Sequence, residues 1–102
     1  MTHVSSLTHA ISINPTTGEQ IGHYPFESAE ALQAALARSA AGFRVWSRQP
    51  VAQRVQRLLA LGQALRDNAE AMARMITLEM GKPIAQARGE IEKCAKLCEW
   101  YA

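Results

Sequence analysis

The run Leu78-Glu79-Met80-Gly81-Lys82-Pro83 constrains this chain most, because it stops one amphipathic helix and starts another. Gly81 suits the left-handed position just past a helix end, and Pro83, with its fixed φ and missing N–H, suits a first helical turn. Lys82, preceding proline, is driven out of the helical region. The two helices must meet at a sharp corner. Glu79 falls on the same stripe as Met72, Met75 and Ile76, which should face the interior. An unpaired carboxylate there would be costly or would stay protonated, so Glu79 needs hydrogen bonds from the corner or from chain packed over it.

The segments upstream supply that chain. Residues 1–9 are polar and without period, which predicts a flexible tail. His3 and His9 could touch a metal only with further ligands, and none is near. From Ala10, Ile11 and Ile13 alternate with Ser12 and Asn14. Pro15-Thr16-Thr17-Gly18 then carries turn chemistry, and Glu19 to Tyr24 is extended around Ile21. This predicts a β-hairpin, which is marginal alone and needs a surface to lie on.

Four amphipathic helices follow. Pro25 ends the second strand, and Ser28 caps the first helix, with Glu27 and Glu30 near its positive end. Leu32, Leu36, Phe43 and Trp46 trace its apolar face, with Trp46 as a core anchor and Ala35, Ser39 and Ala40 allowing close approach. Pro50 opens the second helix, which runs to about Arg66 with Val51, Val55, Leu58 and Leu65 inward, Leu61 beside them, and Arg54 and Arg57 outward. Asp67 or Asn68 caps the third, Glu70 completing a capping box with Asp67, and Met72, Met75 and Ile76 fill the core. The last helix starts at Pro83 and places Ile84, Ala87, Ile91, Cys94 with Ala95, Cys98 and Tyr101 on one face, with Glu92 and Lys96 pairing on the other. Its apolar period reaches Tyr101 without a capping residue, which predicts a chain cut within a helix.

With 102 residues, 48% of them apolar, and a formal charge of +2, the chain has material for a core but no basic patch suited to nucleic acid. No apolar run approaches the ~20 residues of a membrane span, and Met1 to Thr8 does not read as a secretory signal, so the expectation is a cytoplasmic protein. Cys94 and Cys98, one helical turn apart, give no disulfide framework and read as reduced thiols.

Four features occur here in one order and spacing: the turn Ile13-Asn14-Pro15-Thr16-Thr17-Gly18-Glu19, a helix ending near Trp46, the Leu78–Pro83 corner, and Glu90 to Ala102 ending in Glu-Trp-Tyr-Ala. Together they resemble the N-terminal segment of the NAD(P)-dependent aldehyde dehydrogenase superfamily, and are most similar to bacterial succinate-semialdehyde dehydrogenases. The resemblance implies that this mainly α chain, a short hairpin and four helices, is the N-terminal piece of an α/β, Rossmann-like enzyme. Residues 10–102 would belong to the cofactor domain, incomplete at its C-terminus.

The parent enzyme would oxidise an aldehyde with NAD or NADP through a cysteine thioester and would be a homo-oligomer. The nucleophile, general base and cofactor-binding residues of such enzymes lie further along, so no catalytic, cofactor-binding or metal residue is assigned here and the chain alone is expected to be inactive. Cys94 and Cys98 match no nucleophile motif, and the sequence positions no base for thiolate chemistry beside them. Some members hold a structural alkali cation at positions matching Ser12, Ile13 and Glu79, so Glu79 is expected either to bind such an ion or to be hydrogen-bonded without one. The aldehyde and the choice of nicotinamide stay open. The alternative is an independent helical bundle serving as an interaction or self-association module.

Overall fold

Six elements follow one another in a computed structural model that describes residues 7–102: β1 (His9–Ile13), β2 (Gln20–Pro25), α1 (Ala29–Trp46), α2 (Val51–Asp67), α3 (Ala69–Met80) and α4 (Ile84–Tyr101). The hairpin and four helices are thus those expected from the sequence. Residues 1–6 of the expected tail, with His3, lie outside the described residues, and His9 already pairs with Pro25 in β1.

The two antiparallel strands are joined by a turn built on Asn14 and Gly18. The Asn14 carbonyl accepts the Gly18 N–H at 2.8 Å, and its Oδ1 accepts the Thr16 N–H at 2.9 Å. Gly18 takes φ +77°, a left-handed conformation that glycine adopts without steric cost. Ser12 faces Gly22 while Ile13 faces Gln20, so Ile21 is the extra residue of a β-bulge.

Ser28 caps α1 as expected, its Oγ accepting the Ala31 N–H at 3.1 Å. The capping box at the α2–α3 junction does not form. Asn68 alone separates the helices, and at φ −109°, ψ 13° it lacks the extended backbone that aims a cap side chain forward. Its Nδ2 instead donates back to the Ala64 carbonyl at 2.8 Å. Asp67 accepts from Gln63 and Glu70 from Arg88, so neither is available as a cap.

The core is a seam in which α2 and α3 both lie against α4. Its buried residues are Ala73, Ala87, Ile91, Ala95 and Cys98, with Leu65, Ile76 and Ile84 packed around Ala73, Ala87 and Ile91. Small side chains bring the helices close. Gly62, also buried, marks a close approach of α2 to α4, since a Cβ there would sit 3.2 Å from the Cys98 Cβ and 3.3 Å from the Ala95 carbonyl oxygen. On α4 the expected stripe holds for Ala87, Ile91, Ala95 and Cys98. Cys94 and Tyr101 fall about 60° around the helix from Ile91 and Cys98, onto an uncovered flank, and are exposed.

Other expected core positions are not covered either. Leu32, Leu36, Phe43 and Trp46 on α1 remain 44–68% exposed, and α1 has no buried residue. Val51, Met72 and Met75 are exposed as well, and Val55, Leu58 and Leu65 only half-buried. Periodicity identified the faces, but among the described residues little covers them. The radius of gyration is 18.5 Å, against about 13 Å for a compact domain of this length.

Candidate functional site: a hairpin locked on a helical corner

The corner between α3 and α4 is built as its residues dictate. Gly81 adopts φ +72° and donates its N–H to the Thr77 carbonyl at 2.9 Å, closing α3, while Pro83 at φ −54° leads into α4. The hairpin lies over this corner. Ser12 on β1 donates its hydroxyl hydrogen to Glu79 Oε1 at 2.8 Å, and Pro15 from the hairpin turn packs against Gly81, 3.3 Å from where a Cβ would be. Glu79 is half-buried. The partner that its position required is therefore a hydroxyl from a residue 67 positions earlier. An alkali cation is not needed to explain where Glu79 points.

At the corner Pro83 contributes no N–H, Pro15 packs over Gly81, and Lys82 pairs with Glu90 at 2.6 Å.

Two ionic clusters fasten the helices to α4. Arg66 on α2 bridges Glu92, at 3.2 Å, and Glu99. Arg88 donates two hydrogen bonds, at 2.9 and 2.7 Å, to Glu70 on α3. These hydrogen bonds hold the Glu99 and Glu70 carboxyls below the usual carboxylate value and raise both guanidinium pKa values. The expected Glu92–Lys96 pair is replaced, because one planar guanidinium engages two carboxylates on α4 where Lys96 offers a single mobile charge.

Cys98 is buried and Cys94 exposed, both without a disulfide. His9 and His23 meet edge to face with ring centroids 5.5 Å apart. Among the described residues no group of three or more His, Cys, Asp or Glu could hold a metal, and no helix is long and apolar enough to cross a membrane. A groove runs between the end of α1, α2 and the last turn of α4, lined by Trp46, Val55, Leu58 and Tyr101. Arg54, expected to point outward, instead lines this groove with its Nε buried and unbonded. Trp46, expected as a core anchor, is a groove wall.

The aldehyde dehydrogenase family model matches residues 2–102. Succinate semialdehyde dehydrogenase [NAD(P)+] of Escherichia coli (strain K12) is 52% identical over 99 residues, which cover 97% of this chain and 21% of that protein. The non-phosphorylating aspartate-semialdehyde dehydrogenase of Halomonas elongata is 38% identical over 101 residues, covering 99% of this chain and 20% of that protein. The crystal structure of an NAD-dependent aldehyde dehydrogenase from Sinorhizobium meliloti matches with a TM-score of 0.82 and 33% identity, over 94% of this chain and 20% of its own. The chain spans about a fifth of the length of the curated relatives it matches.

Proposed function

Because the chain belongs to the aldehyde dehydrogenase family, we propose that it is the N-terminal scaffold of the cofactor domain of an NAD(P)-dependent enzyme oxidising an aldehyde to an acid. The observation that carries this reading is a family match over residues 2–102. Succinic semialdehyde is the substrate we favour, from the relative with 52% identity. The nicotinamide, the nucleophile and its base are assigned to chain beyond residue 102, in a homo-oligomeric, cytoplasmic enzyme.

Within that subunit these residues orient. The Ser12–Glu79 hydrogen bond and the Pro15–Gly81 contact set the angle at which α4 leaves α3, and the Arg66 and Arg88 clusters hold α2 and α3 on α4. The uncovered faces of α1, Met72 and Met75 become interior against the remaining chain. Those faces weigh against the independent bundle, since a self-contained bundle would bury them.

The test compares this 102-residue chain with the complete gene product, each given succinic semialdehyde and NAD or NADP. Reduced nicotinamide should form only with the complete product. Turnover by the short chain would overturn the scaffold reading, and no aldehyde-dependent reduction by the complete product would overturn the enzyme reading.

A further inference from the structure

The outer face of the hairpin carries two imidazoles that neither the Glu79 lock nor the helical seam uses. Side chains alternate along β1, so His9 and Ile11 lie on the face opposite Ser12 and away from Glu79. Ile11 pairs with His23 and His9 with Pro25, which makes His9 and His23 diagonal neighbours on that face. Both are exposed, and their rings meet edge to face with centroids 5.5 Å apart. The further ligand that His9 lacks in the sequence is thus brought to it by β2.

Imidazole suits borderline divalent cations such as Zn²⁺. The ion sits about 2.0–2.1 Å from the nitrogen, hence about 3.2 Å from the ring centre, and two rings at the tetrahedral angle have centres about 5.2 Å apart. The observed separation is already close to that value, so the edge-to-face contact can open onto an ion by rotation of the exposed rings, with the strands left in register. Thr8 Oγ1 lies 2.6 Å from His9 Nδ1. With Nδ1 donating to it, Nε2 keeps its lone pair for the metal, the arrangement in which ligating histidines are usually held. No third His, Cys, Asp or Glu joins the pair among the described residues, and water completes the coordination.

We propose that His9 and His23 form a two-imidazole site for a borderline divalent cation of the Zn²⁺ type, which clips the open end of the hairpin. The pair stands at the end opposite the Asn14–Gly18 turn, where the Phe26 N–H donates to the Thr8 carbonyl at 2.9 Å. An ion with one ligand on each strand binds the paired strands and not the separated ones, and so stabilises the pairing. It closes this end as the turn closes the other. The site is independent of the reading of the chain as part of a dehydrogenase.

The test titrates the complete gene product, its accessible thiols alkylated, with zinc chloride alone, beside the variants His9→Gln and His23→Gln. Zinc affinity at this site should fall at least about tenfold in either variant, because a single imidazole forfeits the linked second ligand. In a second measurement, Zn²⁺ should slow amide exchange across His9–Pro25 in the unsubstituted product and in neither variant. Mg²⁺, which prefers oxygen ligands, should leave that exchange unchanged. Equal zinc binding by all three proteins, a loss in only one variant, or exchange that Zn²⁺ does not slow overturns the proposal. Where a variant does not fold, exchange in the unsubstituted product with Zn²⁺ against Mg²⁺ decides alone. Neither measurement reads aldehyde oxidation, so failure here leaves the functional reading standing.

Discussion

Replacing Gly62 by alanine sets two known effects against each other at one point of the α2–α4 seam. Alanine in a helix interior is favoured over glycine by about 0.8–1.0 kcal/mol. The added methyl would lie 3.2 Å from the Cys98 Cβ and 3.3 Å from the Ala95 carbonyl oxygen. Neither atom can swing away, because a Cβ and a carbonyl are fixed to the α4 backbone, so the whole helix must retreat by a few tenths of an ångström. Overpacking of this kind costs about 1–3 kcal/mol. The net expectation is a loss of about 0–2 kcal/mol. Gly89→Ala on α4 is the internal control, with nothing within 4 Å of its new methyl, and should gain about 1 kcal/mol. At about 4–8 °C per kcal/mol for a domain of this size, the two variants should melt at least several degrees apart when followed by far-ultraviolet circular dichroism at matched concentration. If Gly62→Ala raises the melting temperature as much as Gly89→Ala, the seam is not limited at Gly62 and the packing argument fails.

Ser12→Ala removes the only donor to half-buried Glu79 among the described residues and should cost about 1 kcal/mol. Amide exchange should speed up across His9–Pro25 and stay unchanged in α2–α4, so uniform acceleration would contradict a local lock. Glu70 and Glu99 have folded pKa values held below the ordinary 4.5 by Arg88 and Arg66. Their contribution is complete above the unfolded value and is lost as pH falls through the folded one. Stability should therefore drop below about pH 4.5, less steeply in Glu70→Gln/Glu99→Gln. A double variant with an unaltered acid limb would refute the assignment. A small thiol reagent should modify Cys94 in the folded chain and Cys98 only after unfolding; equal rates would mean that the seam is open.

Legibility in the sequence followed the range of the interaction. The Ser28 cap, the turn through Asn14 and Gly18, and the Gly81-Lys82-Pro83 corner are each set by the dihedral preferences or side-chain reach of one or two residues, and all three formed where the residues place them. The capping box failed for an equally local reason, the near-helical backbone of Asn68. Gly62 was missed although it left a signal, an isolated glycine inside a helical pattern, which marks close approach of another element. The Glu92–Lys96 expectation failed because the one-turn spacing rule compares neighbours on a single helix, and the competing Arg66 lies on another.

The sequence by itself determined where each helix starts and stops, which residues share a face, and that Glu79 must have a partner, because these follow from backbone sterics, helical period and the cost of burying a charge. Tertiary structure decided which faces are covered. Leu32, Phe43, Met75 and Tyr101 carry the same apolar period as Ile76 and Ile91, but only the latter pair belongs to the packed cluster. Period records the possibility of burial. Burial itself depends on a second surface arriving, and that is a property of the assembled chain.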